Sequence, residues 1–131
     1  MSNKIDKILA EISAGELIDK ITILEIKNIK LTSKDKLAEV NKELTSLNGT
    51  LEKSIPNISK ILELKEHLKN VNLKLWDIED GKRAAEKEKN FGEKFIALAR
   101  DVYTLNDQRA KIKLEINEIL GSNIKEVKSH F

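Results

Sequence analysis

The chain has 131 residues, a length at which one domain buries roughly two-thirds of the surface its unfolded form exposes. Charged residues make up 35% of it, yet 24 basic side chains nearly cancel 22 acidic ones for a net charge of +2, which argues against a dedicated nucleic-acid binder with basic charge concentrated on one face. The absence of cysteine excludes disulfides and thiolate metal sites, and no apolar run reaches the roughly 18 residues of a spanning helix, so a cytoplasmic protein with no membrane insertion is expected.

Aromatics at 4%, five glycines and one proline suit long helices packed through Leu and Ile, and the predicted class is all-α. Residues 1–12, with Ile5, Ile8, Leu9 and Ile12, form a short N-terminal arm that reads equally as a brief helix or an extended strand of chain. Ser13-Ala14-Gly15-Glu16 has the spacing of a capping box, so a first helix should begin near residue 14. Its apolar residues, among them Leu17, Ile18, Ile21, Leu24, Ile26 and Ile29, point in too many directions for a helix buried along one stripe. A second helix is predicted from the N-cap Ser33 through Leu37, Val40, Leu44, Leu47 and Leu51, with Asn48-Gly49 as a candidate early end. Ile55-Pro56-Asn57 is a firm break, because the residue before proline is driven from helical angles.

Ile61, Leu64, Leu68, Val71, Leu75 and Ile78 then fall in heptad register on a third helix running toward Lys89, with Gly81 as a candidate interruption. Asn90-Phe91-Gly92 reads as a tight connector. The fourth helix carries Phe95, Leu98, Val102, Leu105, Arg109, Ile112, Ile116 and Ile119 at seam spacing and should close at Gly121. A connector this short makes helices three and four antiparallel neighbours. The expected architecture is therefore a single domain over 1–131: an antiparallel, coiled-coil-like helical hairpin in a bundle of about four helices, with a C-terminal tail over 122–131.

Only three of the basic residues are arginine, and Arg109 interrupts an otherwise apolar seam. A permanently charged guanidinium cannot stay unpaired there; a register-fixing ion pair is one reading and a ligand contact the other. Its predicted protein partner is Glu25, which lies between Leu24 and Ile26 in the most apolar stretch of the chain. Arg100, Tyr103 and Asp107 share one stripe of the fourth helix, while Asn106, Arg109 and Lys113 share a second that meets the seam. With Glu25 they form a candidate polar or ligand site. A candidate recognition face lies on the third helix, where Trp76, Glu79, Asp80 and Arg83 stand at i, i+3, i+4 and i+7 beside Asp77; its plainer reading is a charge-supported helix surface. His67 and His130 lack a second ligand at metal spacing, and no phosphate-cradling or nucleophile motif is present, so no catalytic residue, metal or cofactor is expected.

The blocks Ser13-Ala14-Gly15-Glu16-Leu17-Ile18-Asp19-Lys20-Ile21-Thr22-Ile23-Leu24-Glu25-Ile26-Lys27 and Val71-Asn72 with Leu75-Trp76-Asp77-Ile78-Glu79-Asp80 resemble signatures of a small bacterial family of unknown function. So does the span from Phe91-Gly92 through Phe95-Ile96, Leu98-Ala99-Arg100, Val102-Tyr103, Asn106-Asp107, Arg109-Ala110 and Ile112-Lys113 to Ile116-Asn117, followed by Gly121-Ser122 and Lys128-Ser129. The resemblance covers nearly the whole chain and departs from the family's pattern at Gly81-Lys82 and at His130. It implies an uncharacterised activity and an occasional link to genes for surface polysaccharide synthesis.

Two functions from different classes follow. The first is a non-enzymatic adaptor or assembly module, a homodimer whose over-apolar first helix is covered by a second copy or another protein. The second is a small-molecule or anion-binding bundle, with Arg100, Arg109 and Lys113 as donors and Glu25 or Asp107 as orienting acids. A chorismate mutase-like enzyme is disfavoured, since the similarity of Ile18-Asp19-Lys20-Ile21 to that enzyme's first helix is slight and the arginines expected along it are absent.

Overall fold

A computed structural model describes residues 4–129; Met1 to Asn3, His130 and Phe131, with the readings attached to them, lie outside the described residues. The four predicted helices are present: α1 (Ala14–Lys30), α2 (Lys34–Ser54), α3 (Leu62–Glu88) and α4 (Glu93–Leu120), with a one-turn 3₁₀ helix at Ile58–Ile61 before α3. No strand occurs among the described residues, and no helix there is long and apolar enough to cross a membrane.

The helix ends follow local chemistry. Ser13 Oγ accepts from the Glu16 amide at 3.1 Å, but only this half of the capping box forms, because the Glu16 carboxylate turns away toward Lys113. Ser33 caps α2 by accepting from the Lys36 amide. Asn48-Gly49 does not end α2; the helix runs on to Ser54 and stops where Pro56 forbids it. Gly81 likewise leaves α3 unbroken, since the cost of one helical glycine is small beside the packing of a 27-residue helix. Lys89 and Gly121, both left-handed, close α3 and α4.

Helices α3 and α4, about 40 Å long each, form the antiparallel hairpin, with Gly81 against Leu98. Their seam residues Leu68, Val71, Ile78, Leu105, Ile112 and Ile116 build one core with Ile18 and Ile61. The outer seam positions are less enclosed: Phe95, Leu98 and Val102 are half-buried and Ile119 is exposed. Helix α1 packs against α2, α3 and α4, whereas α2 touches only α1 among the helices. This corrects the expectation that α1 needs a second molecule to cover it: three neighbours within the chain bury Leu17, Ile18, Ile21, Leu24 and Ile26, and only Ile29 on its outer side stays exposed. Residues 4–12 are not helical, and Ile5, Ile8 and Leu9 lie 72, 80 and 89% exposed.

Candidate functional site

The polar residues that matter gather where α1 crosses α4. As α1 advances through Gly15, Glu16 and Asp19, its partners step backward along α4 through Asn117, Lys113 and Arg109, so the two helices run antiparallel in fixed register. Asp19 has no solvent exposure. Arg109 Nε donates to Asp19 Oδ1 and Oδ2 at 3.0 and 3.1 Å, and its terminal nitrogen donates to Oδ2. From α3, Asn72 Nδ2 donates to Asp19 Oδ1 at 2.8 Å and to Thr22 Oγ1 at 3.0 Å, and Thr22 in turn donates to the Asp19 carbonyl. Lys113 Nζ stands 3.8 Å from Asp19 Oδ2 and donates to Glu16 Oε2 at 2.6 Å. Among the described residues, no buried side-chain nitrogen or oxygen lacks a partner.

Electrostatics reflect this closure. The adjoining carboxylate of Asp19 raises the Arg109 guanidinium above its ordinary value, the hydrogen bond outweighing burial, so it stays charged. For Glu16 burial pushes the carboxyl up, but the bond and charge of Lys113, with Lys20 and Glu126, outweigh it and hold the group below its ordinary range.

The same crossing ties down the start of α1. The Ala14 amide donates to Ser122 Oγ at 3.0 Å and the Gly15 amide to Asn117 Oδ1 at 2.6 Å, so the first turn is capped by α4 and the tail as well as by its own Ser13. Ser13 Oγ reaches Glu126 at 3.1 Å, and Glu126 lies 3.5 Å from Lys113. Only glycine fits at position 15, where a Cβ would stand 2.4 Å from the Lys113 carbonyl oxygen.

The predicted site is divided by the fold. Asn106, Arg109 and Lys113 do share a face, on a shallow groove of about 310 Å³ between α4 and the tail, and Asn106 Oδ1 accepts from Arg109 at 3.4 Å. Asp107 faces Lys128 at 3.6 Å, while Arg100 and Tyr103 are exposed to solvent. The Glu25–Arg109 pair does not form: Glu25 lies 3.6 and 3.4 Å from Lys65 and Lys69, and Arg109 takes Asp19. Glu25 lies six positions beyond Asp19, about 9 Å along the helix, so the antiparallel register carries Glu25 past Arg109. The cations at the groove, Arg109, Lys113 and Lys128, are matched by Asp19, Glu16, Glu126 and Asp107, which leaves no excess positive charge for an anion. On α3, Arg83 bridges Glu79 at 2.9 Å on an exposed surface, Asp77 lies 3.9 Å from Lys30, and Trp76 is half-buried. Among the described residues no three His, Cys, Asp or Glu side chains group to hold a metal ion.

Asp19, Asn72, Asn117, Ser122 and Glu126 were not legible as a cluster. The one local signal was the stripe Gly15, Asp19, Thr22 and Ile26, whose small members allow another helix to approach closely enough for a short carboxylate to meet it.

Over residues 8–130 the chain matches the model described as a family of unknown function (DUF6165), and it belongs to that family. Neither the comparison with curated proteins nor that with solved structures returns a match.

Proposed function

From its place in a family of unknown function, we propose that the chain is a non-enzymatic helical interaction module that assembles as a homodimer through its N-terminal arm and the adjoining face of α1 and α2. The observation that carries this reading is a contrast. The polar cluster is closed around Asp19, whereas Ile5, Ile8 and Leu9 each stand largely in water. Single exposed apolar residues are ordinary, but three of them within five positions of a segment beside an apolar groove mark an interaction surface. The buried charges serve as a register pin that fixes α1 on α4 and so holds the start of the arm, at Ser13, in place.

Size-exclusion chromatography with light scattering at several concentrations tests the reading. The expected result is a species of twice the 14.9 kDa chain mass that an Ile8→Asp, Leu9→Asp variant converts to monomer with its helical circular dichroism intact. A wild-type monomer at every concentration would overturn it.

A further inference from the structure

A cleft of about 570 Å³, within the size range of small-molecule sites, opens at the end of the bundle where three helix ends meet. Its place follows from local stops: α2 ends before Pro56, α4 ends at Gly121 and α1 begins after Ser13, so no helix continues across the gap. Its apolar lining includes the buried Leu17 and the half-buried Ile55, together with Ile119 of α4 and Ile12 of the arm. The last two are still 48 and 38% exposed, so hydrocarbon is left there for a ligand to cover.

The polar lining is divided by hydrogen-bonding sense. The end of α2 and the 3₁₀ helix with its cap contribute Ser54, Asn57 and Lys60. Asn57 commits its carbonyl oxygen to the Ser59 amide and hydroxyl, which leaves its amino group as a donor. The Ser54 and Lys60 side chains have no partner among the described residues. The arm and tail contribute Glu11 and Asn123, joined by Asn123 Nδ2 donating to Glu11 Oε2 at 2.6 Å, which leaves Glu11 Oε1 and the Asn123 carbonyl oxygen as acceptors. The first amides of α1 add nothing, since Ser122, Asn117 and Ser13 already take them. Lys60 and Glu11 thus line one cleft, opposite in charge, without pairing with each other.

We propose that this cleft binds a small zwitterion with an aliphatic body, its carboxylate taken by Lys60, Asn57 and Ser54 and its ammonium by Glu11 and Asn123. Charge selects this class. A lone anion meets the Glu11 carboxylate and a lone cation meets the Lys60 ammonium, like charges that disfavour each, whereas a molecule carrying both satisfies both. The apolar lining favours hydrocarbon over a purely polar zwitterion. The inference goes beyond the homodimer reading, since it needs neither a second copy nor the exposed Ile5, Ile8 and Leu9.

Titration of the full chain with leucine, γ-aminobutyrate and ε-aminocaproate, zwitterions that place the two charges at three separations, tests this through amide NMR shifts. The expected result is saturable binding of at least one, with shifts concentrated at the cleft residues of the arm, the α2 end and the tail. For the tightest of the three, affinity should fall at least tenfold in the matching carboxylate and in the matching amine, each of which lacks one charge. The same loss is expected for the zwitterion with Lys60→Gln and with Glu11→Gln; both residues are exposed, so neither change threatens the fold. Lys53→Gln, an exposed α2 lysine outside the cleft, should change nothing. A carboxylate or amine that binds as tightly as its zwitterion overturns the dipolar site. Saturable binding of none of the three, or binding indifferent to Lys60→Gln and Glu11→Gln, overturns the cleft as a zwitterion site. Since the homodimer reading is judged by molecular mass, the two fail separately.

Discussion

Arg109 holds both oxygens of Asp19, a carboxylate wholly out of water, from the adjoining helix α4 and across ninety residues of sequence. The guanidinium is itself only partly covered, its side chain 30% exposed. The pair is therefore asymmetric: losing the arginine leaves a wholly buried carboxylate with only Asn72 and, at 3.8 Å, Lys113 to hold it, whereas losing the aspartate leaves a cation that can still reach solvent.

Arg109→Ala should accordingly lower unfolding free energy by about 3–5 kcal/mol, and a joint Asp19→Leu, Arg109→Met replacement by much less, since Asn72 keeps Thr22 as a partner. Glu25→Gln, whose carboxylate is partly solvated between Lys65 and Lys69, should cost about 1 kcal/mol or less. Urea unfolding curves with an unchanged slope measure all three. Equal losses in the single and joint Asp19/Arg109 variants would refute the pairing argument.

Two glycines should respond in opposite directions to the same substitution. Gly15→Ala drives a methyl group into the Lys113 carbonyl, backbone that cannot rotate aside, and should destabilise by about 1–3 kcal/mol through separation of α1 from α4. Gly49 lies inside α2 with open space around it, so Gly49→Ala should stabilise by roughly 0.4–1 kcal/mol by narrowing the unfolded ensemble. Thermal melts of the two variants against wild type decide this.

Asn117 accepts from the Gly15 amide in a buried setting. Asn117→Leu keeps comparable bulk but removes the acceptor, and the cost of the orphaned amide is about 1–3 kcal/mol. Hydrogen exchange at Gly15 should accelerate more than exchange in the middle of α3; uniform acceleration would mean the bond is not local to the α1 start.

Acid should weaken the crossing through Glu16. Its folded carboxyl is the more acidic, so the unfolded chain binds the proton first as pH falls. The stability it contributes is complete above its ordinary value of 4.5 and declines as pH drops through the folded value. Glu16→Gln should lie below wild type at neutral pH and approach it as the pH falls below the folded value of Glu16, with a shallower acid limb. Parallel stability profiles across that interval would remove Glu16 from the account.

Four helices, their order and most of their ends were legible from local sequence alone. These depend on short-range chemistry: Ser13 and Ser33 meet amides three residues on, Pro56 acts on its neighbour, and the seam from Leu98 to Ile116 repeats at helical spacing. It also marked Arg109 as a charge in need of a partner. Which carboxylate answered it was decided by tertiary structure, because the register of α1 on α4 depends on Gly15 closing against Lys113 and on Asn117 and Ser122 receiving the first amides of α1. Those bonds join residues about a hundred positions apart, and no local pattern encodes them. The same register brought Asp19 to Arg109 and carried Glu25 past it to Lys65 and Lys69. Packing likewise gave the extra apolar faces of α1 to three helices of its own chain, and left Ile5, Ile8 and Leu9 exposed on the arm that precedes it.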